Sequence, residues 1–253
     1  MRLPLGRRLL QPVPRDHHES DAAFQHRRRV VAGVSLTGAG LLGVSLSTEP
    51  DSPEFYALTL GVAGTWVAGG VLSGPLHLGR LAHGEDLRRP VVVPVLTGVA
   101  AFGVFYAAAL VAREIPVLDR ALRSVLRYAK EGSGPLVALT TLANGAAEEV
   151  FFRGALYAAV GAKGPVVGST AGYLLATTPT RNPALILASL PMGALFAAQR
   201  RASGGIQAPI ITHLTWSALM LRYLPPLFRD APAPGPAWLP SGPGAGNPRM
   251  RKG

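Results

Sequence analysis

The polar residues of this 253-residue chain fall into runs that leave long apolar stretches between them. Residues 30–48, 55–76, 91–112, 164–180, 182–199 and 202–221 hold no charged side chain, and a further stretch, 134–162, holds three: Glu148, Glu149 and Arg153. A bilayer core of about 30 Å is crossed by roughly 20 apolar residues in a helix, and several of these windows reach that length. Helices of a soluble protein would carry charge along their outer faces. The pattern predicts an all-α fold, a polytopic transmembrane helical bundle of about seven spans. Residues 113–133 follow a different rule. There Ile115, Leu118, Leu122, Val125 and Leu126 recur at three- and four-residue spacings, with Arg113, Arg120, Arg123, Arg127 and Lys130 between them. That is the pattern of an amphipathic helix lying on a membrane surface.

Composition narrows the function classes. Charged residues make up only 15% of the chain, mean hydropathy is +0.27, and there is no cysteine. Disulfide frameworks, thiolate metal sites and cysteine-protease chemistry are therefore excluded. A net charge of +11 would ordinarily suggest nucleic acid as a partner. Here the basic residues lie almost entirely in connecting segments, which favours topology signals and lipid headgroups and gives no nucleic-acid partner.

The same distribution orders the chain. An arm over residues 1–29, with Arg2, Arg7, Arg8, Arg15, Arg27, Arg28 and Arg29, leads straight into the first apolar stretch. Residues 49–54 carry no basic side chain, whereas 77–90 carry Arg80, Arg88 and Arg89. This places the N-terminus in the cytoplasm and the protein in the cell membrane as a multi-pass chain, with 30–48 an uncleaved first span. Segment 164–180, short and holding Pro165 and Pro179, either spans or re-enters. The expected organisation is a basic arm (1–29), N-terminal spans with the interfacial helix (30–133), a core (134–224) and a disordered Pro/Gly/Ala-rich tail (225–253).

Charges at membrane depth are expensive, on the order of 2.5–3.5 kcal/mol each on insertion scales. Glu149 and Arg153 are four residues apart with the acid first, the favourable order for a helical ion pair. Glu148 is turned about 100° from Glu149 on an α-helix and shares a face with Thr141 and Asn144. One carboxylate is thus placed to be neutralised, while the other faces a polar interior and is a candidate general base. A second polar focus is Thr212-His213-Leu214-Thr215-Trp216-Ser217, where His213 and Ser217 share a face. A third is Tyr173 to Thr178, where hydroxyls satisfied by their own helix are the ordinary explanation.

The run Glu148-Glu149-Val150-Phe151-Phe152-Arg153 resembles the first motif, Glu-Glu-x-x-x-Arg, of the CPBP (Abi, or CAAX-protease-like) family of intramembrane proteases. His213-Leu214-Thr215-Trp216-Ser217 is similar to that family's final motif, His-x-x-x-Asn/Asp, with Ser217 in the last position. The family's middle motif, Phe-x-x-x-His, has its best match at Tyr173-Leu174-Leu175-Ala176-Thr177, where Thr177 replaces the His. The resemblance covers roughly residues 134–221. It implies an integral membrane endopeptidase in which Glu148 activates water to hydrolyse a peptide bond of a membrane-associated or lipid-anchored substrate. It further implies that Glu149 pairs with Arg153 and that His213, helped by Ser217, stabilises the oxyanion. Asn144 and Thr177 are candidates for substrate contact.

Members of the family either use a metal or have been interpreted with a glutamate–histidine pair. The cofactor therefore stays open between a divalent metal such as Zn, with Glu148, Glu149 and His213 as candidate ligands, and a metal-free mechanism. Expected partners are membrane lipids and a peptide or lipidated-protein substrate. The alternative reading is a catalytically inactive CPBP-fold protein acting as a membrane binding or scaffold partner.

Overall fold

In the computed structural model, residues 19–83 and 86–228 are described, the side chains of 82–86 excepted. The chain is a helical bundle. Its elements are α1 (Asp21–Ser45), α2 (Pro53–Leu72), a small ribbon of β1 (Leu81–His83) and β2 (Asp86–Arg88), α3 (Val92–Ala112), α4 (Pro116–Glu131) and α5 (Gly134–Glu148). A π-helical segment, Glu149–Leu156, continues α5 and runs into α6 (Tyr157–Val160). Then come α7 (Pro165–Thr177) with a 3₁₀ turn at Thr178–Thr180, α8 (Pro183–Ser203), α9 (Gln207–Tyr223) and a second 3₁₀ turn at Pro225–Phe228. The ribbon is antiparallel, with Ala82 opposite Leu87.

The helix starts follow from local chemistry. Ser20, Ser52 and Asn182 cap α1, α2 and α8 by accepting the N–H of Ala23, Phe55 and Leu185. Pro53 and Pro183 sit in the first turn, where no N–H is needed. α9 has no side-chain cap. The N–H groups of Ile206 and Gln207 instead reach the carbonyls of His77 and Leu78 at 2.8 and 3.0 Å, and Arg80 N–H meets Ser203 O at 2.7 Å. The loop before the ribbon is thereby tied to the foot of α9. Gly79, at φ +84°, lies where a Cβ would come within 2.6 Å of Ser203 O, so the approach requires glycine.

Packing runs α1 on α2, α2 on α5, α5 on α9, α9 on α3, and α7 on α8, with the π segment touching α1, α2, α7, α8 and α9. Its core is Trp66, Phe151, Phe152, Val62, Ala147, Ala155, Ala176 and Val31. Trp66 lies 4.8 Å from Phe151 and 5.0 Å from Phe152, ring to ring. A side chain at Gly38 would run into the Trp66 ring, which explains the small residue there.

α3 is arranged the other way round. Only Pro94, Gly98 and Ala109 are buried, while Val92, Leu96 and Val104 are each more than 60% exposed. Among the described residues, α2 and α3 are the two helices long and apolar enough to cross a membrane. The sequence pattern leads to about seven spans. The other windows are interrupted by charge or proline, or are short, as in the 13-residue α7.

Two expected boundaries shift, and the surface helix is docked. α1 begins at Asp21, so the last part of the basic arm is helical, and Arg27 is buried against Glu19, Ser73 Oγ and Pro75 O. α4 forms where the amphipathic pattern places it, but its apolar face is docked. Leu122 and Leu126 pack on Ala109, Leu224 and Phe228, and Arg123 and Lys130 both donate to Phe228 O at 2.8 Å. The tail was expected to be disordered from 225. Pro225–Phe228 instead forms a turn with Phe228 fully buried, because this is what covers α4, and the rest of the tail lies outside the described residues.

Candidate active site

The central feature is the change of helical register at Glu149. A π-helix bonds N–H to the carbonyl five residues back, as Tyr157 N–H does to Phe152 O. Neighbouring helices add side-chain donors to carbonyls of this segment. Ser169 Oγ of α7 donates to Phe152 O at 2.8 Å, and Arg200 Nε of α8 donates to Arg153 O at 2.8 Å. Arg200 is itself buried, its guanidinium 5.2 Å from the centre of the Tyr157 ring.

On this segment Glu149 and Arg153 are both completely buried, and Arg153 Nη1 donates to Glu149 Oε1 at 3.2 Å. His213 Nδ1 lies 2.9 Å from the same oxygen. With a carboxylate as acceptor, Nδ1 carries the proton and Nε2 is the nitrogen left for other chemistry. The Arg153 guanidinium lies 4.6 Å from the Tyr173 ring centre and 5.1 Å from that of Phe196, with Nη2 donating to Gly193 O at 3.3 Å. Rings and carboxylate together compensate a charge that bare burial would make very costly. Glu149 Oε2 and Arg153 Nε have no partner among the described residues.

Glu148 is held differently. It is partly buried, and Tyr173 donates its hydroxyl to Glu148 Oε2 at 2.7 Å. The His213 ring is stacked on Phe196 at 4.7 Å. Its other side faces Gly145, whose Cβ position is 3.5 Å from Nε2. Gly145 is one turn before the carboxylates, so the imidazole lies along α5 with Nδ1 on Glu149 and Nε2 beside the turn that leads to Glu148.

The expected residues divide into two groups. Glu148, Glu149, Arg153 and His213 come together, but His213 bonds Glu149, whereas sequence reasoning teams it with Glu148. His213 lies on α9, which packs on both α5 and the π segment, and its ring meets the Glu149 carboxylate. Asn144 is drawn away: its Nδ2 donates to Thr59 O and Thr140 O, both at 2.9 Å, pinning α5 to α2. Thr177 turns its hydroxyl back to Tyr173 O at 2.9 Å, within its own helix. Ser217 is buried one turn beyond His213, on the face the spacing predicts.

Sequence reasoning missed the hydroxyl of Tyr173, the platform Phe196, and the supporting donors Ser169 and Arg200. Tyr173 stands in the sequence as the start of the third polar focus and of the middle-motif match, with nothing there to pair it with Glu148. As for a metal, among the described residues no three His, Asp or Glu side chains are grouped to hold an ion. Glu148, Glu149 and His213 supply a single imidazole between them, short of the His-rich set usual for zinc, and Glu149 Oε1 is already shared by Arg153 and His213.

Comparison with known proteins agrees with the motif resemblance. The family model described as type II CAAX prenyl endopeptidase Rce1-like matches residues 131–219, which places that segment with the CPBP/CAAX-protease-like proteins. No curated protein and no solved structure matches the chain.

Proposed function

We propose, from the CAAX-protease-like match over residues 131–219, that the chain is a multi-pass membrane endopeptidase acting on a membrane-associated or lipidated peptide. The N-terminus is cytoplasmic in this reading, and residues 134–224 form the catalytic core carried by the spans before it. The observation that supports it best is the unequal treatment of two adjacent carboxylates. Glu149 is fully buried and bonded to Arg153 and His213, while Glu148 is partly open and bonded through one oxygen only.

Glu148 is then the general base. Its Oε1, which has no hydrogen bond among the described residues, takes a proton from water as that water adds to the scissile carbonyl. Glu149 fixes the orientation and tautomer of His213 as a carboxylate does for a catalytic imidazole, leaving Nε2 to face the reacting carbonyl and, when protonated, to donate to its oxyanion. Glu148 returns the proton to the departing amine, and Arg153 holds Glu149 in place. Ser217, below His213, adds a hydroxyl on the same face.

The test uses purified full-length protein in lipid vesicles and an S-farnesylated C-terminal peptide. Glu148→Gln is expected to lower cleavage by about 10²-fold or more, the range for loss of a general base, with an unchanged melting temperature. Cleavage that survives both Glu148→Gln and His213→Ala would reject these roles. The scaffold reading is favoured by one observation, the Thr177 hydroxyl spent on its own helix. It predicts a wild type that cleaves nothing and a Glu148→Gln variant indistinguishable from it in cells.

A further inference from the structure

We propose that Tyr173 is the positioning residue for Glu148, the group through which α7 takes part in the site. This deepens the endopeptidase reading and rests on it for its kinetic consequence, but the coupling between the two side chains stands on geometry alone. The phenol donates to Glu148 Oε2 at 2.7 Å, a short, charge-assisted bond across two helices between residues 25 apart in sequence. The ring that carries the phenol is itself fixed on both sides. Phe152 meets it edge-on at 4.9 Å, and the Arg153 guanidinium lies 4.6 Å from its centre. Arg153 in turn holds Glu149. The neighbouring acids, whose like charges repel, thus each have their own partner in a stacked Arg–Tyr pair, the cation on Glu149 and the phenol on Glu148.

The arrangement leaves Glu148 one oxygen fixed and one free, which is what a base needs if its free oxygen is to meet water in a constant place. Thr177 cannot do this, because its hydroxyl is bonded to Tyr173 O on the same helix. The residue one turn earlier reaches where Thr177 does not. Tyr173 does not touch the reacting atoms; it acts through Glu148.

The experiment compares wild type and Tyr173→Phe as full-length proteins in vesicles. Phenylalanine keeps the ring against Arg153 and Phe152, so the melting temperature is expected to stay unchanged. With the S-farnesylated peptide as probe, kcat is expected to fall about tenfold or more, the size of one hydrogen bond to a charged group, while KM changes less than about twofold. An unchanged kcat, or a change confined to KM, overturns the proposal. A second readout does not depend on cleavage. Dicyclohexylcarbodiimide labels intramembrane carboxyls, and mass spectrometry of the peptide containing Glu148 measures the rate. Removal of the phenol uncovers Oε2 and takes away the donor that stabilises the charged form, so labelling is expected to accelerate several-fold. An equal rate in the two proteins overturns the Tyr173–Glu148 coupling. A wild type that cleaves nothing, yet labels faster at Glu148 once Tyr173 is Phe, keeps the coupling and removes the endopeptidase reading instead.

Discussion

The chain makes the same helical ion pair in two places, with very different consequences. In the π segment, Glu149 and Arg153 are i,i+4, 3.2 Å apart, and neither side chain has any exposure. In α4, Arg127 and Glu131 are also i,i+4, 3.1 Å apart, but each is about half exposed. Sequence spacing and distance are nearly equal; surroundings are not. At the surface, water and salt screen the pair and competing hydration offsets most of the attraction. In the interior there is no such competitor, so each charge depends on the other and on the rings and carbonyls around it. The buried pair also has the acid first, the better order on a helix, and the exposed pair has it last. A buried pair of this kind does little to increase stability, yet the loss of one partner is severe.

The largest expected effect follows at that point. Arg153→Met should destabilise the protein by about 3–5 kcal/mol, the usual result of leaving a buried charge unpaired. Denaturation in detergent measures it. Glu149→Gln combined with Arg153→Met should recover part of the loss, because the stranded charge is gone. If the double variant is as unstable as the sum of the singles, the dependence is on packing and not on charge. A smaller effect is expected beside it. Ser169→Ala removes the donor to Phe152 O, which retains only the Tyr157 N–H, and should cost about 1 kcal/mol.

Much of the fold is legible in the chain itself. The charge-free windows 55–76 and 91–112 become Pro53–Leu72 and Val92–Ala112 almost residue for residue, because helix ends here coincide with Pro, Ser and Arg at the edges of apolar runs. The Glu149–Arg153 pair is also readable, since it depends on local spacing alone. What could not be read depends on partners distant in sequence. The π segment is braced by Ser169, 17 residues from Phe152, and by Arg200, 47 residues from Arg153. The His213 bond to Glu149 spans 64 residues and depends on how α9 packs on α5 and the π segment. Spacing within one helix says nothing of which carboxylate a residue on another helix will meet. Thr177, by contrast, behaves as its place in a helix leads one to expect, with its hydroxyl bonded to Tyr173 O of its own helix.

The exposed member of the comparison yields the expected null. Arg127→Met should leave the melting temperature unchanged within error, although it breaks two hydrogen bonds to Glu131. A measurable loss there would show that α4 is less hydrated than its exposure indicates, and the contrast with Arg153 would narrow.

A third acid, Asp51, lies on the same end of the bundle as α4 and gives the mildest test, one of local order. Asp51 sits at φ +61° in the α1–α2 connection, a conformation that Asp and Asn tolerate better than most residues. Its Oδ1 accepts the Tyr56 hydroxyl at 2.7 Å and the Ser133 N–H at 3.0 Å, linking that connection to the start of α5. The Tyr56 bond first, and the Ser133 bond second, hold the Asp51 carboxyl below its ordinary range against a weaker opposing effect of burial. A depressed folded value means that the link is at full strength above the usual carboxylate range and weakens as pH falls through the lower, folded value. Hydrogen exchange at the Ser133 amide, corrected for intrinsic rates, should therefore accelerate only at strongly acidic pH. Asp51→Asn keeps an acceptor oxygen and the positive φ but has no charge to lose. It should give weaker protection at neutral pH and no acid step. If both proteins show the same acid step, the proton is being taken up elsewhere and the Asp51 link is not what orders the start of α5.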